Sequence, residues 1–187
     1  MSSFVRARSA LDTPPVAVVI PGVGYTAMSP LLYWTAELLS QAGWHVQGVE
    51  WTVDASALSD PLAFVEHAVT ETFDDAPPSS RRLIVAKSFG CFALPWARRN
   101  DIPGVWMTPV LTDEPVRQAL IEASTADIAI GGDADPVWLP DEIAATRANV
   151  ISVPKAGHSL VIPGDWRASH AAQRALFESI EHHLETT

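Results

Sequence analysis

The chain has 187 residues, a formal net charge of -10 and one cysteine. This length fits one enzyme-sized domain, and 48% hydrophobic residues can build a substantial core. The negative charge argues against a nucleic-acid groove or an anionic membrane surface. A single cysteine forms no intramolecular disulfide, and no apolar window is long enough to cross a bilayer. We therefore expect a soluble, cytoplasmic protein that acts on small molecules.

Apolar runs and helical segments alternate along the chain. Strands are predicted near 16–20, 45–51, 82–86, 103–107, 127–131 and 149–153, and helices near 29–42, 60–74, 89–99, 114–122, 140–146 and 167–184. The alternation predicts a three-layer α/β/α sandwich, whose mostly parallel sheet has about six strands. Residues 1–15 are interpreted as an N-terminal extension and 16–187 as a single domain.

Ser88 follows an apolar run and lies between Ala86 and Gly90, each two positions away. A strand that turns at once into a helix strains the residue at the turn, so these neighbours must be small. The pattern predicts a nucleophile elbow, with Ala86 in place of the usual first glycine. The alternative is a small polar residue that caps the following helix.

Two later segments supply partners for a nucleophilic serine. The predicted strand at 127–131 leads to Asp133 and Asp135, and the loop at 154–160 presents His158. Ser88, Asp135 and His158 therefore occur in the chain order Ser, Asp, His. Both aspartates also suit a turn, so Asp133 competes with Asp135 for the acid position.

From about Val16 to the C-terminus, these segments resemble the α/β-hydrolase superfamily. Residues 132–137 are similar to its acid loop and 156–160 to its histidine loop. Residues 18–25 resemble the strand and glycine-rich turn of its oxyanion hole, with Pro21 in place of the usual histidine. The family spacing favours Asp135 as the acid, and Asp113 stays a rival because some relatives place the acid after the preceding strand.

The resemblance implies a role for each residue of the site. Ser88 would be the nucleophile, His158 its base and Asp135 the acid that orients the imidazole. The backbone N–H groups of Val23 and Phe89 would form the oxyanion hole. Four further residues are candidates for substrate binding: Gly24, which is also an alternative oxyanion donor, Tyr25, Trp138 and Leu160.

Against the eight strands usual in the family, this chain should lack the first two. Only about twenty residues separate Met107 from Asp127, enough for one helix and no cap. The resemblance therefore implies an open site for a substrate that is small or protrudes from something larger.

Four residues near the site receive other interpretations. Lys87 is taken as a solvated elbow residue whose charge could favour an anionic substrate. Cys91 is expected to be buried and structural, and Trp34 and Trp106 to be buried.

The sequence favours a serine hydrolase that cleaves a carboxylic ester, with thioester, amide, perhydrolysis and acyl transfer as variants. The alternative is a noncatalytic protein of the same fold that binds a small ligand or a protein partner. No cofactor and no metal are expected, and a homodimer stays open because edge strands and tryptophans could pair.

Overall fold

The computed structural model describes residues 2–186. Its strands are β1 (Ser2–Ala7), β2 (Val16–Ile20), β3 (His45–Glu50), β4 (Arg82–Lys87), β5 (Gly104–Met107), β6 (Ile128–Gly132) and β7 (Asn149–Val153). They form one sheet in the order β1-β3-β2-β4-β5-β6-β7. β1 is antiparallel to β3, and the other strands are parallel. The predicted mostly parallel sheet is confirmed.

Helices connect the parallel strands. They are α1 (Pro30–Gln41), α2 (Ala55–Ser59), α3 (Pro61–Asp75), α4 (Leu94–Arg99), α5 (Glu114–Ile121) and α6 (Trp166–Thr186), with 3₁₀ helices at Ser88–Ala93 and Pro140–Ile143. α3 begins as its sequence indicates, because the Asp60 side chain accepts a hydrogen bond from the N–H of Ala63 and Pro61 occupies the first turn. Between residues 2 and 186, none of the helices combines the length and the hydropathy that a bilayer crossing requires.

β1 corrects the sequence prediction of about six strands. It lies within residues 1–15, which were interpreted as an extension, and pairs with β3 from Ser2 opposite Glu50 to Ala7 opposite Val46. Gly48 makes room for this strand, since a Cβ there would lie 2.5 Å from Cζ of Phe4. The sheet therefore has seven strands, and its first strand runs against the rest.

Each central strand buries both faces. Ile20 and Ile84 belong to a cluster with α3, α4 and α5, whereas Val19 and Val85 belong to a second cluster with α1 and α6. Trp106 is fully buried in the first cluster, as predicted. This two-sided burial fixes the strand register, because a one-residue shift would exchange the two faces.

Trp34 differs from its prediction. It lies in α1 and is 54% exposed, with its ring edge-on to Tyr33. The α1 face that packs on the sheet carries Leu31, Leu32 and Leu39 instead. Its position inside a helix therefore did not make Trp34 a core residue.

Candidate active site

Ser88 lies where β4 ends and the 3₁₀ helix begins, with φ of +52°. This left-handed conformation is strained for a residue other than glycine. Gly90 is tightly packed here, since a Cβ would lie 2.5 Å from the carbonyl oxygen of Ile20. A Cβ on Gly22 would lie 3.1 Å from Cβ of Ser88, so the turn after β2 passes directly beside the serine.

Three side chains from separate loops form one hydrogen-bonded chain. Oγ of Ser88 lies 2.7 Å from Nε2 of His158, and Nδ1 of the same imidazole lies 2.7 Å from Oδ2 of Asp135. A carboxylate can only accept, so Nδ1 carries the proton and Nε2 accepts from the serine hydroxyl. The imidazole is therefore oriented to remove the proton of Ser88.

Close packing holds the aspartate and histidine loops together. A Cβ on Gly132 would lie 2.0 Å from the carbonyl oxygen of Ala156, and the same oxygen accepts a 3.0 Å hydrogen bond from the N–H of Ala134. The Asp135 side chain is only 1% exposed, and its Oδ1 accepts from the N–H of Val137 at 3.2 Å. The backbone of its own loop thus holds the Asp135 carboxylate in place, independently of its hydrogen bond to His158.

The two rival aspartates, Asp133 and Asp113, accept hydrogen bonds from backbone N–H groups instead. Asp133 is exposed and accepts a hydrogen bond from the N–H of Lys155. Asp113 is the N-cap of α5 and accepts from the N–H of Val116 at 3.1 Å. Of the three aspartates that the sequence offered, Asp135 is the one that contacts His158.

The turn that follows β2 lies open to solvent beside Ser88. Val23 is 55% exposed, and Gly24 has φ of +63°, a conformation that glycine adopts without strain. The N–H of Tyr25 donates to the carbonyl of Gly22 and closes the turn. On the other side of the serine, Phe89 is the second residue of the 3₁₀ helix, where the first N–H groups have no acceptor within the helix.

A cavity of about 270 Å³ borders this turn. Its wall includes Tyr25, Pro21 and Met28. Phe4 from β1 and Trp51 after β3 complete it. Sequence reasoning missed both, because Phe4 lay in the supposed extension and Trp51 had no motif to mark it.

Trp138 and Leu160 are not available to a substrate, which corrects two predictions. Trp138 is 4% exposed, its ring lies against Gly131, and its indole N–H donates to Oγ of Ser152 at 2.9 Å. Leu160 is 1% exposed and packs in the cluster beneath α1 and α6. Both follow a strand at the correct edge of the sheet, but their side chains turn into the core.

Lys87 is not solvated, contrary to its interpretation from the sequence. It is 4% exposed, and its Nζ donates to Oγ1 of Thr108 and to the carbonyl oxygen of His158, both at 3.3 Å. The ammonium also lies 4.9 Å from the centre of the Tyr25 ring. Burial lowers the pKa of Lys87, although the Asp135 carboxylate acts in the opposite direction. A buried lysine could not receive an anionic substrate without a rearrangement.

Cys91 is fully buried, as predicted, and its Sγ lies 3.5 Å from the carbonyl oxygen of Met107. Burial raises the pKa of the thiol well above its usual range, so the thiol stays protonated and unreactive. Within residues 2–186, no group of three or more His, Cys, Asp and Glu side chains is arranged to hold a metal ion.

A larger groove of about 700 Å³ lies between α1 and α6. Its wall includes Trp44 and Arg81, which immediately precede β3 and β4. That position is the amino edge of the sheet, opposite the edge that carries Ser88. The groove is therefore separate from the hydrogen-bonded side chains.

The sheet order, the crossing helices and the serine at the end of β4 define the α/β-hydrolase fold, as the resemblance predicted. Between β5 and β6, residues 108–127 hold α5 and no cap domain. No family model matches the sequence, and no curated protein matches it.

Solved structures match over nearly the whole chain. A lidless α/β serine hydrolase from Xanthomonas campestris is 18% identical with a TM-score of 0.67, covering 98% of this chain and 88% of its own. Est1E from Butyrivibrio proteoclasticus is 12% identical with a TM-score of 0.68, covering 98% and 94%. A Pyrococcus furiosus esterase is 13% identical with a TM-score of 0.68, covering 94% and 84%. At these identities the similarity establishes the fold.

Proposed function

We propose that the protein is a serine hydrolase that cleaves a carboxylic ester through an acyl-enzyme. The observation that carries this proposal is the continuous hydrogen-bonded chain from Ser88 through His158 to Asp135, with both distances 2.7 Å. A hydroxyl becomes a useful nucleophile when a base removes its proton, and this imidazole is correctly placed to do so. The esterase among the structural neighbours supports the same class of reaction.

The reaction begins when Nε2 of His158 takes the proton of Ser88 and Oγ attacks the ester carbonyl carbon. The Asp135 carboxylate stabilises the imidazolium that forms. The N–H groups of Val23 and Phe89 hold the negative oxygen of the tetrahedral intermediate, and each such donor contributes about 3 kcal/mol to transition-state stability. His158 then protonates the departing alkoxide, and water hydrolyses the acyl-enzyme by the same steps.

The cavity beside the turn sets the size of the substrate group that can bind. Pro21 lines it, and the next residue, Gly22, lies against Ser88, so one arm of a bound ester would enter the cavity. About 270 Å³ accommodates an aromatic ring or a short alkyl chain, in contact with Tyr25 and Trp51. The other arm would point to solvent, because no cap covers the site.

Labelling with a fluorophosphonate probe, read by intact mass and peptide mapping, tests this function. Wild-type protein should gain one adduct on Ser88, and Ser88→Ala should gain none. Ser159→Ala is the matched control, because it removes an exposed hydroxyl beside His158 and should label like wild type. Failure of folded wild-type protein to label would contradict the proposal. If the protein is labelled on Ser88, the next step is to test short-chain esters, thioesters and amides as substrates.

A further inference from the structure

The cavity of about 270 Å³ and the imidazole of His158 reach Ser88 from opposite sides of the sheet. In the strand order β1-β3-β2-β4-β5-β6-β7, Ser88 follows the central strand β4. The cavity is lined from β1, from the end of β3 and from the turn after β2, which all lie on one side of β4. His158 follows β7 and Asp135 follows β6, on the other side. The two arms of an ester bound at Ser88 therefore meet different surroundings.

Two contacts connect the cavity to Ser88 itself. Pro21 lines the cavity, and a Cβ on the next residue, Gly22, would lie 3.6 Å from Oγ of Ser88. Trp51 lines the cavity as well, and its ring lies edge-on to that of Phe89, the residue after Ser88, with 5.8 Å between the ring centres. The cavity wall thus begins beside the oxygen that would attack the ester carbonyl.

The lining of the cavity sets the chemistry of the group that it can hold. Most of the lining is apolar and consists of Phe4, Pro21, Ala27, Met28, Val49 and Trp51. The hydroxyl of Tyr25 is already engaged, because it accepts a hydrogen bond from the N–H of Leu31 at 3.1 Å. Glu50 carries a charge in this wall, but it is exposed. A compact, largely apolar group therefore fits the cavity.

The side of Ser88 that carries His158 is open. The imidazole side chain is 40% exposed, and Ser159 and Val161 close to it are exposed too. The carbonyl of Val161 accepts a hydrogen bond from the N–H of Gly157, which keeps this residue next to the histidine. Residues 108–127, between β5 and β6, hold α5 and no cap domain. A group bound on this side therefore extends into solvent.

The chemistry of the proposed reaction decides which arm of the ester takes which side. The leaving alkoxide must receive the proton that Nε2 of His158 took from Ser88, so the alcohol arm lies within hydrogen-bond reach of that nitrogen. The acyl arm stays bonded to Oγ of Ser88 and takes the other side, where the cavity lies. We propose that this cavity is the acyl pocket, so that the protein selects esters by a compact, apolar acyl group and accepts alcohols of widely different size. This inference rests on the proposed function.

Two isomeric esters with exchanged arms test the assignment on wild-type protein. Undecyl acetate carries its long chain on the alcohol, whereas methyl laurate carries it on the acyl group. We expect kcat/KM to be about tenfold or more higher for undecyl acetate, because a hydrophobic pocket discriminates by that much against a chain only one methylene too long. Dividing each value by the alkaline hydrolysis rate of the same ester removes the difference in intrinsic reactivity.

A series of acetates tests the open side in the same assay. Acetates of methanol, undecanol and a long polyethylene glycol should differ only a few-fold in kcat/KM, since their alcohols extend into solvent. Equal rates for the two isomeric esters, or a preference for methyl laurate, would overturn the proposal.

Variants on the two sides of Ser88 test the pocket directly. Met28 is 55% exposed in the cavity wall and Val161 is 41% exposed beside the histidine loop, so both positions accept a larger side chain without disturbing the core. Met28→Trp should narrow the cavity and lower the ratio of kcat/KM for methyl benzoate to that for methyl acetate by about tenfold. Met28→Ala should widen the cavity and raise kcat/KM for methyl laurate. Val161→Trp is the matched control and should keep the wild-type ratio.

The outcome for these variants decides the assignment. A benzoate to acetate ratio that falls in Val161→Trp, or acyl preferences that neither Met28→Trp nor Met28→Ala changes, would overturn it.

Fluorophosphonate labelling separates a failure of this inference from a failure of the proposed function. If Ser88 is labelled and the protein cleaves both isomeric esters equally well, the hydrolase function stands and the acyl pocket is wrong. If Ser88 of folded wild-type protein is not labelled, the hydrolase function fails and the pocket assignment fails with it.

Discussion

At the scale of single residues, the site depends on which of two neighbouring aspartates faces the histidine. Asp133 and Asp135 are two positions apart, and both suit a turn. The backbone turns Asp133 outward to the N–H of Lys155 and Asp135 inward to His158. The sequence could predict that one of these two aspartates faces His158, but only the loop conformation shows which one does.

Asp135→Asn should lower kcat/KM by roughly 10⁴-fold, because an amide can hold the imidazole in the wrong tautomer. Asp133→Asn should stay within a few-fold of wild type, since its side chain supports only the turn. Steady-state kinetics on one ester would compare the two variants, with circular dichroism as the check on folding. Greater damage from Asp133→Asn would assign the acid role to that residue instead.

At the scale of elements, the sequence predicted the alternating parallel strands and helices and missed the antiparallel strand β1. Strands 16–20 and 149–153 match the structure in full. β2 is buried on both faces and therefore leaves a continuous apolar run. β7 is a mostly exposed edge strand, and its β-branched residues Val150, Ile151 and Val153 gave the signal. β1 has mixed composition and is only partly buried, so it carries no such signal. Ser88, Asp135 and His158 could be predicted because each lies in a recognisable motif. The burial of Lys87 could not be predicted, because no sequence pattern indicates it.

Gly48→Ala should test how β1 contributes to the site. The added Cβ would meet the Phe4 ring, and such overpacking costs about 1–3 kcal/mol of unfolding free energy. Because Phe4 lines the cavity, KM should rise while kcat stays near wild type. Chemical denaturation and steady-state kinetics would measure both effects.

The double variant Phe4→Leu/Gly48→Ala is the control for this prediction. A smaller side chain at position 4 should relieve the contact and recover part of the stability lost in Gly48→Ala. If the losses of unfolding free energy of the two single variants simply added in the double variant, the effect of Gly48→Ala would not arise from contact with the Phe4 ring.

At the scale of the whole molecule, the net charge is unevenly placed. The loops and helix starts at the carboxyl edge carry many carboxylates against three basic side chains, Arg117, Lys155 and Arg167, of which Arg117 pairs with Glu142. The carboxylates are Asp54, Asp60, Asp113, Glu114, Asp133, Asp141, Glu142 and Asp165. Under the proposed function, a substrate would approach Ser88 through a negative potential, which repels anions and attracts cations.

An ester that carries a quaternary ammonium group should show a higher kcat/KM than a neutral ester of the same shape, and an anionic ester a lower one. The difference should shrink as salt is raised from about 0.01 M to 1 M, since the screening length falls from about 30 Å to 3 Å. The neutral ester is the internal control and should respond little to salt. Equal salt dependence for all three esters would show that the potential does not act on binding.

The left-handed backbone of Ser88 also has an evolutionary consequence. Glycine would occupy that conformation without strain, so under the proposed function serine is kept there for its hydroxyl alone. In a descendant that had lost the reaction, mutation would drift toward glycine at position 88, and the fold would become more stable as it did. Under the proposed function, the nucleophile is thus a residue that the fold alone would not select.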